Sequence, residues 1–213
     1  MGRIPLMLEL NEKQVVIVGG GTIAERRINT IIESGAHITV ISPIINKAIR
    51  TAWEAGFLTW KQKTFEATDI QQAVLVVAAT DDQLVNQFVS MSAPAECLVN
   101  NASDAKASHV HFPAYLKQGR LSISISTNEA SPALSSKIKK ELERIYSKDY
   151  EGYVDFLYQS RQLLKQSTVD KQRQKKLLQS LVSEEFLCKD KQLQALQSLR
   201  AITGRIDASE GIK

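Results

Sequence analysis

Three groups of residues have types and spacings that do chemistry. The run Gly19-Gly20-Gly21-Thr22-Ile23-Ala24 places a Gly-x-Gly-x-x-Ala spacing directly after four β-branched residues, Val15-Val16-Ile17-Val18. In that arrangement Gly19 makes a tight turn, Gly21 lets a pyrophosphate lie against bare backbone, and the small Ala24 lets a helix approach the strand. The free amides that open the helix then face the phosphates. A glycine-rich structural turn is the competing reading. The apolar strand before the glycines and the helix-like sequence after them favour the dinucleotide.

Asp104 stands in Asn100-Asn101-Ala102-Ser103-Asp104-Ala105-Lys106, a polar loop after an apolar run. A carboxylate there is placed to take the proton that accompanies hydride transfer, although aspartate also forms turns. His109 and His111 alternate on an extended stretch and share a face, but no third ligand accompanies them, so no metal is expected. Ser42 ends the second strand, where a dinucleotide fold ordinarily carries an acid for the adenosine ribose. The residues alone therefore leave NAD and NADP open.

The elements that must position these groups alternate. Residues 37–41, 58–62, 73–79 and 97–100 read as further strands. Helices are expected over 46–55 and 83–93, and after the glycines through Ile23, Ile28, Ile31 and Ile32, with Arg26 and Arg27 outside. A weaker alternation over 4–10 reads as a short strand before the glycine strand. Repeated strand-helix alternation gives a parallel sheet with its ligand at the carboxyl ends of the strands. Beyond residue 108 the pattern changes. Residues 109–113 look extended, 121–126 alternate strictly, and Ser131-Pro132 opens a helix through Tyr146. That unit is too small to bury both faces, so pairing with a second subunit is expected. Three helical stripes follow, with 204–213 frayed. The expected fold is α/β: a Rossmann-type domain (1–113), a small α+β dimerisation unit (114–147) and an all-helical domain (148–213).

An apolar content of 43% and a charged content of 23% exclude long disorder and low-complexity classes. No apolar stretch approaches a membrane span, and residues 1–10 lack the basic start and apolar core of a signal peptide, which points to the cytoplasm. The formal charge of +4 comes without basic runs interleaved with aromatics, so no nucleic acid partner is expected. Cys97 and Cys188 read as plain thiols.

In order, the blocks Gly19 to Arg27, Ala78-Ala79-Thr80-Asp81-Asp82, Val99-Asn100 to Asp104, Phe112-Pro113-Ala114 and Ser131-Pro132 resemble the precorrin-2 dehydrogenases of sirohaem synthesis. The resemblance implies NAD-dependent oxidation of precorrin-2 to sirohydrochlorin in a homodimer. It assigns the essential aspartate to Asp104 and cofactor contacts to Thr22, Ile23, Pro43 and Ile44, to which position adds Thr80 and Asp81. The substrate would be a tetrapyrrole with eight carboxylates. Lys106, His109, His111, Ser124 and Thr127 are its candidate contacts, with Lys117, Arg120 and Lys137 the other cations nearest in sequence. One departure is Thr127-Asn128-Glu129, where many relatives carry Ser-Gly. Two alternatives stay open: a bifunctional enzyme that also inserts ferrous iron, and a non-catalytic dinucleotide-sensing module.

Overall fold

The structure, a computed structural model, describes residues 3–207 and divides after Phe112 into two compact units. In the first, β1 (Gln14–Val18), β2 (His37–Ile41), β3 (Thr59–Lys61), β4 (Leu75–Ala78) and β5 (Leu98–Asn101) form one parallel sheet in the order β3-β2-β1-β4-β5. Val15 to Val18 are at most 4% exposed, because β1 is central and covered on both faces. On one face α1 (Thr22–Ile31) and α2 (Lys47–Glu54) bury Ala24, Ile28 and Ile49 against Val15, Ile17 and Val77. On the other, α3 (Gln83–Ser92) buries Val89 against Val16, Val18 and Val76. The strand order reverses between β1 and β4, so the loops after these strands diverge and leave a crevice at the sheet's carboxyl edge.

The strand expected over 4–10 does not form: Ile4, Leu6 and Met7 are exposed and only Leu10 joins the core. β1 already has β2 and β4 as neighbours, so residues 4–10 cannot pair with the strand that follows them. Two faces also differ from expectation. Ile23 lies outside the α1 stripe at 44% exposure, while Arg27 is half-buried. On α3, Leu84, Phe88 and Met91 are exposed, and the buried positions are Asn86 and Val89.

The second unit opens with an antiparallel hairpin of β6 (Ala114–Gln118) and β7 (Leu121–Ile125), turned at Gly119, whose φ is 57°. The expected strand at 109–113 is thus displaced: Pro113 has no amide for a ladder, and 109–112 runs instead beside β5, with the His109 and Val110 amides donating to the Val99 carbonyl at 2.8 and 3.2 Å. α4 (Pro132–Ile145) follows, with the Ser131 hydroxyl accepting from the Leu134 amide at 3.1 Å. Just before it Asn128 and Glu129 take φ of 48° and 70°, a left-handed pair that glycine would adopt without steric cost. Three helices, α5 (Asp149–Lys165), α6 (Lys171–Ser180) and α7 (Lys189–Asp207), close on Tyr153, Phe156, Leu164, Leu181 and Leu199. Val182 and Leu193 stay outside that core. α7 is helical through Asp207; residues 208–213 of the end expected to fray lie outside the described residues.

Candidate active site

A cleft of about 610 Å³ opens at the carboxyl edge of the first unit's sheet, and the three glycines have distinct duties in it. Gly19 has φ of 123°, and a Cβ there would collide with the Ala79 carbonyl, so β1 and the loop after β4 meet backbone to backbone. At Gly20 a Cβ would strike the Ile44 carbonyl. The loop after β2 is seated on that bare backbone, and the Asn46 amide donates to the Gly20 carbonyl at 2.9 Å. Gly21 alone faces open space, with no atom within 4 Å of its missing Cβ.

Gly21 is also the N-cap of α1, and no side chain caps that helix. The neighbouring helices are closed: the Asn46 side chain accepts from the Ile49 amide at 2.9 Å, and Asp82 accepts from the Leu84 amide at 2.8 Å. α1 therefore keeps its first amides and the positive end of its dipole turned to the cleft, and an anion such as a pyrophosphate satisfies both. The residues present fit a dinucleotide.

Gly19, Gly21, Ser42, Pro43, Ile44, Thr80 and Asp81 all line this cleft; Thr22 and Ile23 follow it as the exposed first residues of α1. The loop after β2 is held rigid, with the Ser42 hydroxyl donating to the Ile44 carbonyl at 2.7 Å and the Trp60 indole donating to the Ser42 carbonyl at 2.9 Å. Phe65 and Phe88, edge to face with centroids 5.6 Å apart, line the same cleft and offer a flat group an apolar wall. Lys63 lines it too, its ammonium 3.1 Å from both Glu66 and Asp69. Burial pushes the Asp69 carboxyl up, but the Glu66 amide and the Lys63 and Lys61 ammoniums outweigh it and hold the group below its ordinary pKa. Nothing in the sequence marks Phe65, Phe88 or Lys63 for this cleft, since no spacing links the β3–β4 loop to α3.

Asp104 caps the short 3-10 turn Ala105–Ala107, its Oδ1 accepting from the Lys106 amide at 2.8 Å. It is exposed, and its Oδ2 makes no hydrogen bond among the described residues. Turn formation and an available carboxylate oxygen thus coexist in one side chain. Beneath it lie two buried asparagines that the sequence did not single out. Asn101 Oδ1 accepts from the Asp104 amide at 3.1 Å and from the Ser103 amide at 3.0 Å, while its Nδ2 donates to the Asn86 carbonyl at 3.2 Å. Asn86 is 1% exposed and grips Thr80, accepting from its amide at 3.0 Å and donating to its carbonyl at 2.9 Å. The cleft loop after β4 and the Asp104 loop after β5 are therefore tied to each other through protein hydrogen bonds.

Lys106 and His109 are exposed on this unit, His111 half-exposed; the His109 Nδ1 lies 3.3 Å from the Cys97 carbonyl. Among the described residues no group of three or more His, Cys, Asp or Glu is arranged to hold a metal ion. Ser124 and Thr127 belong to the second unit. Ser124 is exposed on β7, whereas the Thr127 hydroxyl is engaged at the entrance to α4, donating to the Ser131 carbonyl at 3.1 Å and accepting from the Ser131 amide at 3.2 Å. Arg120 pairs with Asp155 at 3.1 Å and Lys137 with Glu141 at 3.9 Å.

A Rossmann-type sheet with an uncapped glycine-turn helix at its carboxyl edge defines a dinucleotide-binding protein. Residues 6–114 match a family model described as putative NAD(P)-binding, 118–145 one described as sirohaem biosynthesis protein central, and 150–195 one described as SirC C-terminal domain. The chain is 39% identical to a precorrin-2 dehydrogenase of Priestia megaterium, over 91% of this chain and 96% of the relative. It is 37% identical to a precorrin-2 dehydrogenase of Bacillus subtilis, over 74% and 98%. A siroheme synthase of Actinobacillus pleuropneumoniae is 32% identical, and there the match spans 68% of this chain but 30% of the synthase. A solved structure titled SirC, precorrin-2 dehydrogenase, superposes with a TM-score of 0.80 at 36% identity, covering 93% of this chain and 100% of that one. The chain belongs to the precorrin-2 dehydrogenase family, which makes it an enzyme rather than a sensing module.

Proposed function

We infer that the chain carries out its family's reaction, the oxidation of precorrin-2 to sirohydrochlorin with NAD, in the synthesis of sirohaem. Balanced, precorrin-2 and NAD⁺ give sirohydrochlorin, NADH and one proton. The dinucleotide, when bound, accepts the hydride. The chain's own residues do the rest. Gly19, Gly21, Thr22 and Ile23 with the amides opening α1 hold the pyrophosphate; Ser42, Pro43 and Ile44 border the adenosine half, and Thr80 and Asp81 border the other wall.

Asp104 is the general base in this reading, its Oδ2 taking the proton released as conjugation extends through the macrocycle. The observation that supports this is the Asn101–Asn86 tie, which fixes the Asp104 turn relative to Thr80 of the cofactor cleft. A base must be held within about 3 Å of its proton, and a loop anchored to the cofactor wall meets that need. Lys106, His109 and His111 lie on the same unit as Asp104 and serve the substrate's carboxylates. Thr127 holds the entrance to α4 through Ser131.

The enzyme works in the cytoplasm as a homodimer. Leu134 and Ile145 on α4 are 48% and 61% exposed, apolar surface that a second copy would cover. The deciding experiment is Asp104→Ala. Precorrin-2 oxidation, read as NADH absorbance, should fall to background while NAD affinity stays within about twofold, the carboxylate lying outside the residues that line the cleft. Near-normal turnover would remove Asp104 from the mechanism.

A further inference from the structure

We propose that Arg27 of α1 binds a carboxylate of the tetrapyrrole, on the flank of the first unit that carries Phe112; this rests on the precorrin-2 reading above. Arg27 is half-buried on the core side of α1, in the stripe of Ala24, Ile28 and Ile31, where its charge alone would place it in solvent. Its Nε is fully buried and has no hydrogen-bond partner. Its guanidinium makes no ion pair among the described residues; it lies over the Phe112 ring, 4.6 Å from the centroid. Burial and then the neighbouring Arg26 charge both pull it below its ordinary pKa, and no anion pulls it back.

Those facts are unfavourable for a purely structural side chain. Desolvating a charge without a counter-ion costs more than stacking on one ring returns. A methionine would fill the same volume over Phe112 without that penalty. The imbalance is removed if an anion arrives from outside, and a planar guanidinium with its donors free is the group that takes a carboxylate in a two-pronged fashion. A second buried orphan lies on this flank. Asn100 is 4% exposed, its Nδ2 donates to the Val110 carbonyl at 2.9 Å, and its Oδ1 has no partner. Val110 and Phe112 pack on the same core face as α1, but the Asn100 oxygen is an acceptor, so the carboxylate is taken by the Arg27 guanidinium alone.

The flank is also on the strand that matters. Asn100 and Asn101 end β5, and Asp104 follows in the next turn. Arg27 is five residues beyond Thr22, about 8 Å along α1 at 1.5 Å per residue, and it does not line the dinucleotide cleft. Because Arg27 lies outside the cleft that would hold the cofactor phosphates, the anion assigned to it is a substrate carboxylate.

The test compares Arg27→Met and Arg27→Lys with the wild-type enzyme, by KM for precorrin-2, direct titration with sirohydrochlorin, direct titration with NAD, and thermal unfolding. In Arg27→Met, precorrin-2 KM and sirohydrochlorin Kd should rise about tenfold or more, the loss of a hydrogen bond to a charged group. NAD Kd should stay within about twofold and Tm should hold, since methionine keeps the packing over Phe112 while a partly desolvated charge has gone. Arg27→Lys should recover part of the tetrapyrrole affinity. Tetrapyrrole binding within about twofold of wild type in Arg27→Met overturns the proposal, and so does a lower Tm, which would make Arg27 a structural residue. A loss confined to NAD would assign it to the cofactor. Wild-type protein that neither oxidises precorrin-2 nor binds sirohydrochlorin would instead refute the family reading itself.

Discussion

Gly21→Asp should separate binding from folding within three consecutive glycines. The backbone at Gly21 is already extended, with φ −92° and ψ −166°, and no atom lies within 4 Å of the position a Cβ would take. Aspartate there costs no steric strain. It also supplies the side-chain cap that α1 lacks, worth a few tenths of a kcal/mol over glycine. The fold should keep its Tm or gain slightly. The pyrophosphate, by contrast, meets a like charge and a side chain where it needs bare amides, and NAD affinity should fall at least tenfold, about 1.4 kcal/mol. Gly20→Ala is the opposite perturbation. Its Cβ falls on the Ile44 carbonyl, so the loop after β2 must shift, an overpacking cost of about 1–3 kcal/mol and a Tm lower by several degrees. Calorimetric NAD titration and thermal unfolding of both variants give the comparison. Unaltered NAD binding in Gly21→Asp would make the turn structural only, and a destabilised Gly21→Asp would contradict the open geometry.

Asn101→Ala leaves the Ser103 and Asp104 amides without their acceptor, and kcat should drop about tenfold or more with NAD Kd nearly unchanged. A kcat within about twofold of wild type in Asn101→Ala would refute the coupling of this turn to the reaction. Asp69 is held below its ordinary pKa, so its contribution is present above the unfolded value of about 3.9 and disappears as pH falls through the folded value. Urea unfolding between about pH 5 and about pH 3 should show a steeper loss for wild type than for Asp69→Asn, and parallel curves would deny the Lys63–Asp69 pair a role. Lys63 is raised, its hydrogen bond to Asp69 the main cause, so its share lasts up to the unfolded value near 10.4 and is lost as pH climbs through the folded one.

The parts of the fold that the sequence discloses are those set by local physics. Runs such as Val15 to Val18 and Val74 to Ala78 have no polar face and can only be central strands, and Ser131-Pro132, Asp82 and Asn46 announce helix starts by their hydrogen-bonding chemistry. Where a choice depended on neighbours far along the chain, the pattern misled. The alternation at 4–10 is real but the strand next to it in sequence, β1, is already paired on both sides, and the hairpin begins at Ala114 because Pro113 cannot join a ladder. The same limit applies to the site. Gly19, Gly21 and Asp104 stand out because their duties follow from backbone geometry and charge. Asn86 and Asn101 look like ordinary helix and strand-end residues; only the fold brings α3 under the loops after β4 and β5. Arg27 is hidden for a different reason: its charge argues for solvent, although its place three residues after Ala24 and four before Ile31 is on the apolar face.

Precorrin-2 oxidation by this chain is read out by incubating the purified protein with precorrin-2 and NAD⁺ and following both products. It requires NADH and sirohydrochlorin to appear together, in equal amounts and in proportion to enzyme. Absence of NADH formation, or sirohydrochlorin appearing no faster than without enzyme, would contradict it.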